Sequence, residues 1–183
     1  MFTKTPWYGV PIAYAPLLLH NFINWDDNLL WSTFLMIFGV FCWSLSEYLL
    51  HRFLFHCEDY WLPKWDKICP FHFLLHGIHH CYPQDRLRLV FPILPGYIIL
   101  NCLLSPLLAA IFPKEWYYEI NFGVIFGYIL YDEIHYFLHH SQPKKGYFRD
   151  LKIYHMQHHY KHGLQGFGVS SKFWDYVFQS QIR

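Results

Sequence analysis

Fourteen histidines stand in a chain of 183 residues, and eleven of them fall into four tight boxes. These read His51-x₄-His56, His76-x₂-His79-His80, His135-x₃-His139-His140 and His155-x₂-His158-His159. Neutral imidazole is the commonest protein metal ligand, and residues three or four apart share one face of a helix. Ten or so converging imidazoles exceed the need of a single ion, so the pattern is read as a two-metal site. Any fold for this chain must therefore gather four separate segments at one place. The boxes also sit at the ends of apolar stretches of membrane length, which puts the metal chemistry at the edge of a bilayer.

Three apolar stretches are long enough to cross that bilayer: Asn28 to Phe55, Leu89 to Phe112 and Tyr117 to Leu138. A weaker fourth, Trp7 to Phe22, is short and carries Pro11 and Pro16; it reads as a tilted span or as a re-entrant or interfacial segment, and a span is favoured. Prolines within such stretches are tolerated where neighbours satisfy the freed carbonyls. With four crossings, the N-terminus, the 57–88 loop and residues 141–183 share one side. Thirteen of the fourteen Lys and Arg residues then lie there, including Arg52, Lys64, Lys67, Arg86, Arg88 and Lys152, and only Lys114 lies opposite, where Asp26 and Asp27 also fall. That split follows the positive-inside rule and places every histidine box on the positive side. The expected fold is all-α: a membrane bundle of four transmembrane helices in two hairpins, with a histidine-rich helical cap on the cytosolic-type side, forming one domain over residues 1–183.

Composition supports the same class. Hydrophobic residues make up 54 % and charged residues 15 %, which argues against a purely soluble domain. A net charge of +1 predicts no nucleic-acid surface. The cysteines, Cys42, Cys57, Cys69, Cys81 and Cys102, are odd in number and form no C-x-x-C, so a reducing compartment fits better than a disulfide framework. No cleavable signal is evident at the N-terminus.

One box alone would fit interfacial histidines with satisfied hydrogen bonds as well as a metal site. Four boxes on one predicted side do not, because packed imidazoles without metal leave many buried donors and acceptors to satisfy. Within the second and fourth boxes, spacings of three and four place the rings on one helical face. His51 and His56 are five apart, about 140° round an ideal helix, so the helix is expected to end or bend between them. Imidazole suits iron, zinc and copper. About five imidazoles per ion suggest a shell with room for an exogenous ligand, and a redox pair beside lipid points to oxygen activation on an apolar chain. Zinc hydrolysis is the competing chemistry, but H-E-x-x-H is absent. No catalytic residue is expected beyond the metal centre.

Carboxylates are placed to support these ligands. Glu47 lies one turn before His51, and Asp132 lies three before His135 and seven before His139; acids at membrane depth are costly unless paired, so orienting a ligating imidazole suits both. Glu133 is seven before His140, and either pairs with it or caps the span at the interface. His20, His72, His140 and His162 read as peripheral. Phe173, Trp174, Tyr176, Val177 and Phe178 form an aromatic cluster that packs the cap onto the bundle or lines the mouth for an acyl chain, and packing is preferred. Gly163, Gly166 and Gly168 suggest tight turns or close backbone approach. Arg86 and Arg88 are candidates for headgroup contact, with solvated positive-side residues as the plainer reading.

The flanks of the boxes carry a resemblance. EYLLHRFLFH (Glu47–His56), FHFLLHGIHHCYPQDRLRLVFP (Phe71–Pro92), GYILYDEIHYFLHH (Gly127–His140) and YHMQHHYKHGLQGFGVSSKFWDYVF (Tyr154–Phe178) closely resemble the fatty acid 2-hydroxylases, within the wider fatty acid hydroxylase and sterol desaturase superfamily. The likeness covers nearly the whole chain. It reaches beyond ligand spacing, in the P-x-D-x-x-R-L-V-x-P element from Pro83 to Pro92 and the GFGVSSKFWD tail from Gly166 to Asp175. It implies a four-span membrane enzyme with a capping domain and a dinuclear centre. That enzyme hydroxylates carbon 2 of long-chain, sphingolipid-linked acyl groups with dioxygen and two electrons. Carried over residue by residue, the ligands would be His51, His56, His76, His79, His80, His135, His139, His155, His158 and His159. The metal would be iron for activity, with zinc in a purified form.

Many relatives implied by the resemblance carry an N-terminal cytochrome b5 domain, and this chain shows no H-P-G-G haem segment. It resembles members that take electrons from a separate cytochrome b5 and its reductase. The sequence shows no address signal; the endoplasmic reticulum is the membrane expected, and another such as the mitochondrial inner membrane is the alternative. Two other readings stay open: a non-enzymatic accessory subunit of a larger membrane complex, and a desaturase or sterol oxidase of the same superfamily.

Overall fold

The computed structural model describes residues 4–26, 28–61, 70 and 73–183; Asp27, Lys64, Lys67, Cys69 and His72, named above, lie outside the described residues. Among those described, regular structure is helical throughout. Helix α1 spans Gly9–Phe22 and α2 spans Leu29–Leu50, capped by the Asn28 side chain, which accepts from the Trp31 N–H. A short turned segment carries the second box into α3, Ile78–Cys81. Then come α4, Ile93–Ile98, α5, Ser105–Ile111, and the longest helix, α6, Lys114–His140. Helix α7, Tyr147–Tyr160, and a single turn, α8, Phe173–Val177, close the chain.

Among the described residues, three π-helical turns interrupt this pattern. One, Ile99–Leu104, joins α4 to α5 just before Pro106. Proline has no N–H to give the preceding turn, and a wider turn absorbs the clash. The chain thus stays helical from Ile93 to Ile111. A second, His51–Phe55, continues α2, and a third, Phe73–Gly77, leads into α3. The expected end or bend between His51 and His56 is therefore a widened turn, closed by the His56 N–H on the His51 carbonyl at 3.2 Å. With its i→i+5 bond, the wider turn brings residues five apart nearer to one side than an α-helix does.

Helices α2 and α6 form the central pair because glycine lets their backbones touch. A Cβ on Gly39 would lie 2.2 Å from the Ile120 carbonyl, and one on Gly123 would lie 2.1 Å from that of Met36. Small residues at a crossing are how helices approach closely when lipid supplies no hydrophobic drive. Around this crossing Leu35, Trp43, Ile120, Val124 and Tyr128 are buried. Helix α1 joins through Val10 and Tyr14, whose hydroxyl donates to the Ile93 carbonyl at 2.9 Å.

Away from the histidines, a polar ladder ties the helices. Ser105 Oγ donates to Asn121 Oδ1 at 2.8 Å, and Asn121 Nδ2 to Asn21 Oδ1 at 3.0 Å. Glu119 accepts from the Asp26 N–H and from Ser32 Oγ. Two helical stretches, Leu29–Phe55 and Ile93–Ile111, are long and apolar enough to cross a membrane, and only 22 % of each is buried inside the protein. A core helix of a soluble protein would be mostly covered. Instead Ile12, Leu30, Ile37, Ile98, Leu103 and Ile111 point outward. At 14 residues α1 is roughly 21 Å long, shorter than a bilayer's hydrocarbon thickness.

Replacing Gly123 by Val should separate α2 from α6. Overpacking of this kind costs about 1–3 kcal/mol, so the thermal midpoint in detergent should fall by several degrees; an unchanged midpoint would contradict the backbone-contact crossing.

Candidate metal centre

Ten of the eleven box histidines meet in two groups. His51, His56, His76, His80 and His158 form one; His79, His135, His139, His155 and His159 form the other. Within each group the candidate ligand atoms lie within 4.8 Å of one another. Helices α3 and α7 each serve both. Residues four apart are offset by about 40° and residues three apart by about 60° the other way. His155 and His159 therefore turn to one group and His158 to the other, as His76 and His80 part from His79. Helix spacing shows a shared face; it does not show this division.

The spacing inside the groups tests whether a cation fits. Nε2–Nε2 separations are 2.9 Å for His76–His80, 3.2 Å for His56–His158, 3.0 Å for His139–His155, and 3.1 Å for both His155–His159 and His79–His159. Metal–imidazole bonds run about 2.0–2.1 Å, so two donors at right angles on one ion stand about 3 Å apart. Tetrahedral donors would stand about 3.4 Å apart. The observed edges match the wider shell of five or six donors. Hydrogen bonding alone accounts for them poorly, since a neutral imidazole has one N–H while His155 and His159 Nε2 each face two other ring nitrogens. The residues fit a metal ion in each group.

Burial completes the donor set by keeping the rings neutral. Desolvation, reinforced by His158, lowers His80 to about 3. Desolvation also lowers His158 to about 4, against the opposing pull of the Gln165 carbonyl. His76, His79 and His155 lie well below the ordinary value for the same first cause, with neighbouring imidazoles adding to it.

The groups differ in what holds their outer nitrogens. His51 Nδ1 meets the Phe167 carbonyl at 2.5 Å, and His158 Nδ1 meets that of Gln165 at 2.8 Å. An N–H donated there leaves the Nε2 lone pair facing the group. In the other group, the Leu89 and Pro83 backbone faces His135 and His139 outside normal hydrogen-bond geometry.

The supporting carboxylates sit elsewhere than their helical register suggests. Glu47 meets no imidazole among its described bonds: it accepts from the Val169 and Ser170 N–H groups at 2.9 and 2.8 Å and from the Ser170 hydroxyl. Asp132 Oδ1 accepts from the Phe91 N–H at 3.0 Å. Both acids thus satisfy backbone of segments laid across the bundle, because a chain arriving from the cap brings unpaired amides that a buried carboxylate neutralises best. Glu133 and His140 line one apolar groove of about 590 Å³ beside Trp7 and Phe137, without a described bond between them. His20 packs against Tyr118, 6.0 Å between ring centres, and His162 is exposed. Of the tail aromatics, Trp174 bonds Ser44 and packs on Phe41, while Tyr176 and Val177 face outward. The four described cysteines, Cys42, Cys57, Cys81 and Cys102, are free thiols.

Helical spacing alone missed the carbonyls of Gln165 and Phe167, and the Asp175 carboxylate behind them. The GFGVSSKFWD string was their signal, since ligand spacing left it unexplained.

The fold and site define an all-helical protein with apolar helices of membrane length and a histidine-rich centre able to bind metal. Residues 36–180 match the model of the family described as fatty acid hydroxylase. The chain belongs to the fatty acid hydroxylase family. It is 46 % identical over 183 residues to the ceramide very long chain fatty acid hydroxylase SCS7 of Saccharomyces cerevisiae, covering 98 % of this chain and 47 % of that protein. It is 39 % identical to the dihydroceramide fatty acyl 2-hydroxylase FAH2 of Arabidopsis thaliana, covering 96 % and 73 %. To the fatty acid 2-hydroxylase of Homo sapiens it is 37 % identical, covering 97 % and 53 %. A solved structure of full-length scs7p, with only its hydroxylase domain visible, superposes with a TM-score of 0.90 at 46 % identity over all of this chain and 69 % of that one. The chain spans about half the length of the yeast and human relatives.

The neutral rings set a pH dependence for the metal-free protein. In the unfolded chain they protonate near the ordinary 6.5, whereas folded His158 and His80 resist until about 4 and about 3. Acid from pH 6.5 downward therefore favours unfolding. The apo-protein's thermal midpoint should drop steadily between pH 7 and pH 4, and bound zinc should move the loss to lower pH; a flat profile would show that the rings are not held neutral.

Proposed function

We propose that this chain is a membrane-bound monooxygenase that hydroxylates carbon 2 of long-chain fatty acyl groups in ceramide-type sphingolipids. The observation that carries the reading is the two sets of five imidazoles, both reaching one small recess that adjoins an apolar cavity. Relatives named as ceramide, dihydroceramide and fatty acid 2-hydroxylases support the substrate class. The ten histidines act as ligands to two metal ions, iron in the active enzyme and zinc as a stable substitute. The bound metals supply oxygen activation. Overall, one C–H, one O₂, two electrons and two protons become one C–OH and one water, with the electrons delivered by a separate cytochrome b5 and its reductase.

The chain's own residues place the acyl group. His76 and His135, one from each group, line the same recess as Leu89, Phe91 and Tyr131. Phe91 and Tyr131 also line the next cavity, walled by Trp43, Leu50, Phe55 and Leu100. The two are about 10 and 20 Å³, so Phe55 and Phe91 swing aside when a lipid enters from the bilayer. Their apolar walls then exclude water from the reacting carbon. Arg88 at the rim is held by Asp85 at 3.0 Å and faces the headgroup side.

Residues 1–183 act as one hydroxylase unit. Its four crossings are α2, the Ile93–Ile111 helix, α6 and the shorter α1, which reaches across only with its flanking turns, residues 7–24 in all, with the cap and both termini on the cytosolic side of the endoplasmic reticulum. The thirteen cations on that side support this orientation.

Purified protein, supplied with iron, cytochrome b5, its reductase and a ceramide, should yield 2-hydroxyacyl product carrying one ¹⁸O atom from ¹⁸O₂. His155→Ala should abolish product and release metal. A double-bond product, an oxidised sterol, or full activity in His155→Ala would overturn the reading.

A further inference from the structure

The stretch from Gly166 to Ser170 has an unusual hydrogen-bond plan. All five consecutive N–H groups have an acceptor. Gly166 donates to the Ser180 carbonyl at 2.8 Å. Phe167 and Gly168 donate to the Asp175 carboxylate at 2.9 and 2.8 Å. Val169 and Ser170 donate to Glu47. The carbonyls of Gln165 and Phe167 are left facing the histidines, where they meet His158 and His51.

One peptide unit in this stretch is held at both ends. The Phe167 carbonyl and the Gly168 N–H belong to the same amide, which is planar and trans. Its N–H is bound by Asp175 Oδ2 and its C=O accepts from His51 Nδ1. A carboxylate on the N–H polarises the amide and strengthens its oxygen as an acceptor. The result has the logic of a carboxylate–histidine–metal triad, with a peptide bond inserted between acid and ring.

The surroundings are built for that arrangement. Asp175 is fully buried, and Ser180 Oγ donates to its Oδ1 at 2.8 Å. A Cβ on Gly168 would lie 2.0 Å from the Ser171 carbonyl and 2.9 Å from Asp175 Oδ2, so a side chain there would push the amide off the carboxylate. Gly166 takes a φ of +75°, a conformation that glycine adopts without penalty; it lets the chain turn so that both carbonyls face inward. Among the described residues, no bond links the other group of histidines to this stretch in the same way.

We propose that Asp175 is a positioning residue for one metal site: acting through the Phe167–Gly168 peptide, it fixes the tautomer and direction of His51 and so tunes the affinity of the His51, His56, His76, His80 and His158 group alone. This rests on the two-metal reading above and is tested separately from it. Asp175→Asn keeps the size of the side chain but sets an amide NH₂ against a backbone N–H, or leaves one N–H without its charged acceptor.

The protein is loaded with cobalt(II), and bound metal per chain and the cobalt absorption spectrum are followed during challenge with a chelator. His158→Ala and His155→Ala provide the spectra of protein impaired in one group or the other. Asp175→Asn should release one of two metals about 10–100-fold faster than wild type, as loss of an outer-shell partner does. Its spectrum should follow His158→Ala. Combined with His158→Ala it should add little; combined with His155→Ala it should leave both sites weak. Equal loss from both groups, as a general packing role requires, or unchanged release, would overturn the proposal. Should Asp175→Asn not fold, Ser180→Ala, which removes one bond to the same carboxylate, decides by the same readout with a smaller shift. Wild-type protein that takes up fewer than two cobalt ions would instead count against the two-metal reading.

Discussion

Ten imidazole rings brought out of water at one place have to be compensated, and nearly every other feature of this fold follows from that. Eight of the ten are buried, and protonation is disfavoured by desolvation and by the other rings alike. Neutral rings present lone pairs, and inward lone pairs are able to hold a cation. The Nε2 separations, near 3 Å, match the edges of such a coordination shell.

The bundle serves as a rigid frame for the convergence. Backbone contact at Gly39 and Gly123 locks α2 to α6, and those helices present His51 and His135 at the same end. Apolar packing cannot fix ring direction, however. The polar work is done by two loops laid across the bundle, residues 83–92 and 165–170. Each is anchored by a buried carboxylate on an apolar helix, Asp132 for the first and Glu47 for the second. Acids at that depth are costly unless bound, and binding backbone amides of the cap makes them the joints between membrane-type helices and the histidine-bearing segments.

The sequence made the broad arrangement legible because its two strongest signals are long-range in effect and local in code. Apolar length marked α2, the Ile93–Ile111 helix and α6 within a few residues, and weakly marked α1. Histidine spacing marked the ten residues that meet. What stayed hidden was how they divide, since i, i+3 and i, i+4 neighbours look alike until the helix axis is placed. The π-helical turn between His51 and His56 was hidden too: register showed that an α-helix fails there but not what replaces it. Glu47 and Asp132 were legible as important, but their bonds to backbone amides were not, because helix periodicity knows nothing of amides arriving from a distant loop. The tail string GFGVSSKFWD was conspicuous as surplus to ligand spacing, and its carbonyls are where that surplus is used.

The most direct measurement of the central claim is anomalous diffraction from the metal-loaded protein, recorded on both sides of the metal's absorption edge. Two peaks are predicted, each enclosed by five imidazole Nε2 atoms, with His155 and His159 on one and His158 on the other. A single peak shared by all ten rings, or metal bound away from them, would contradict the account.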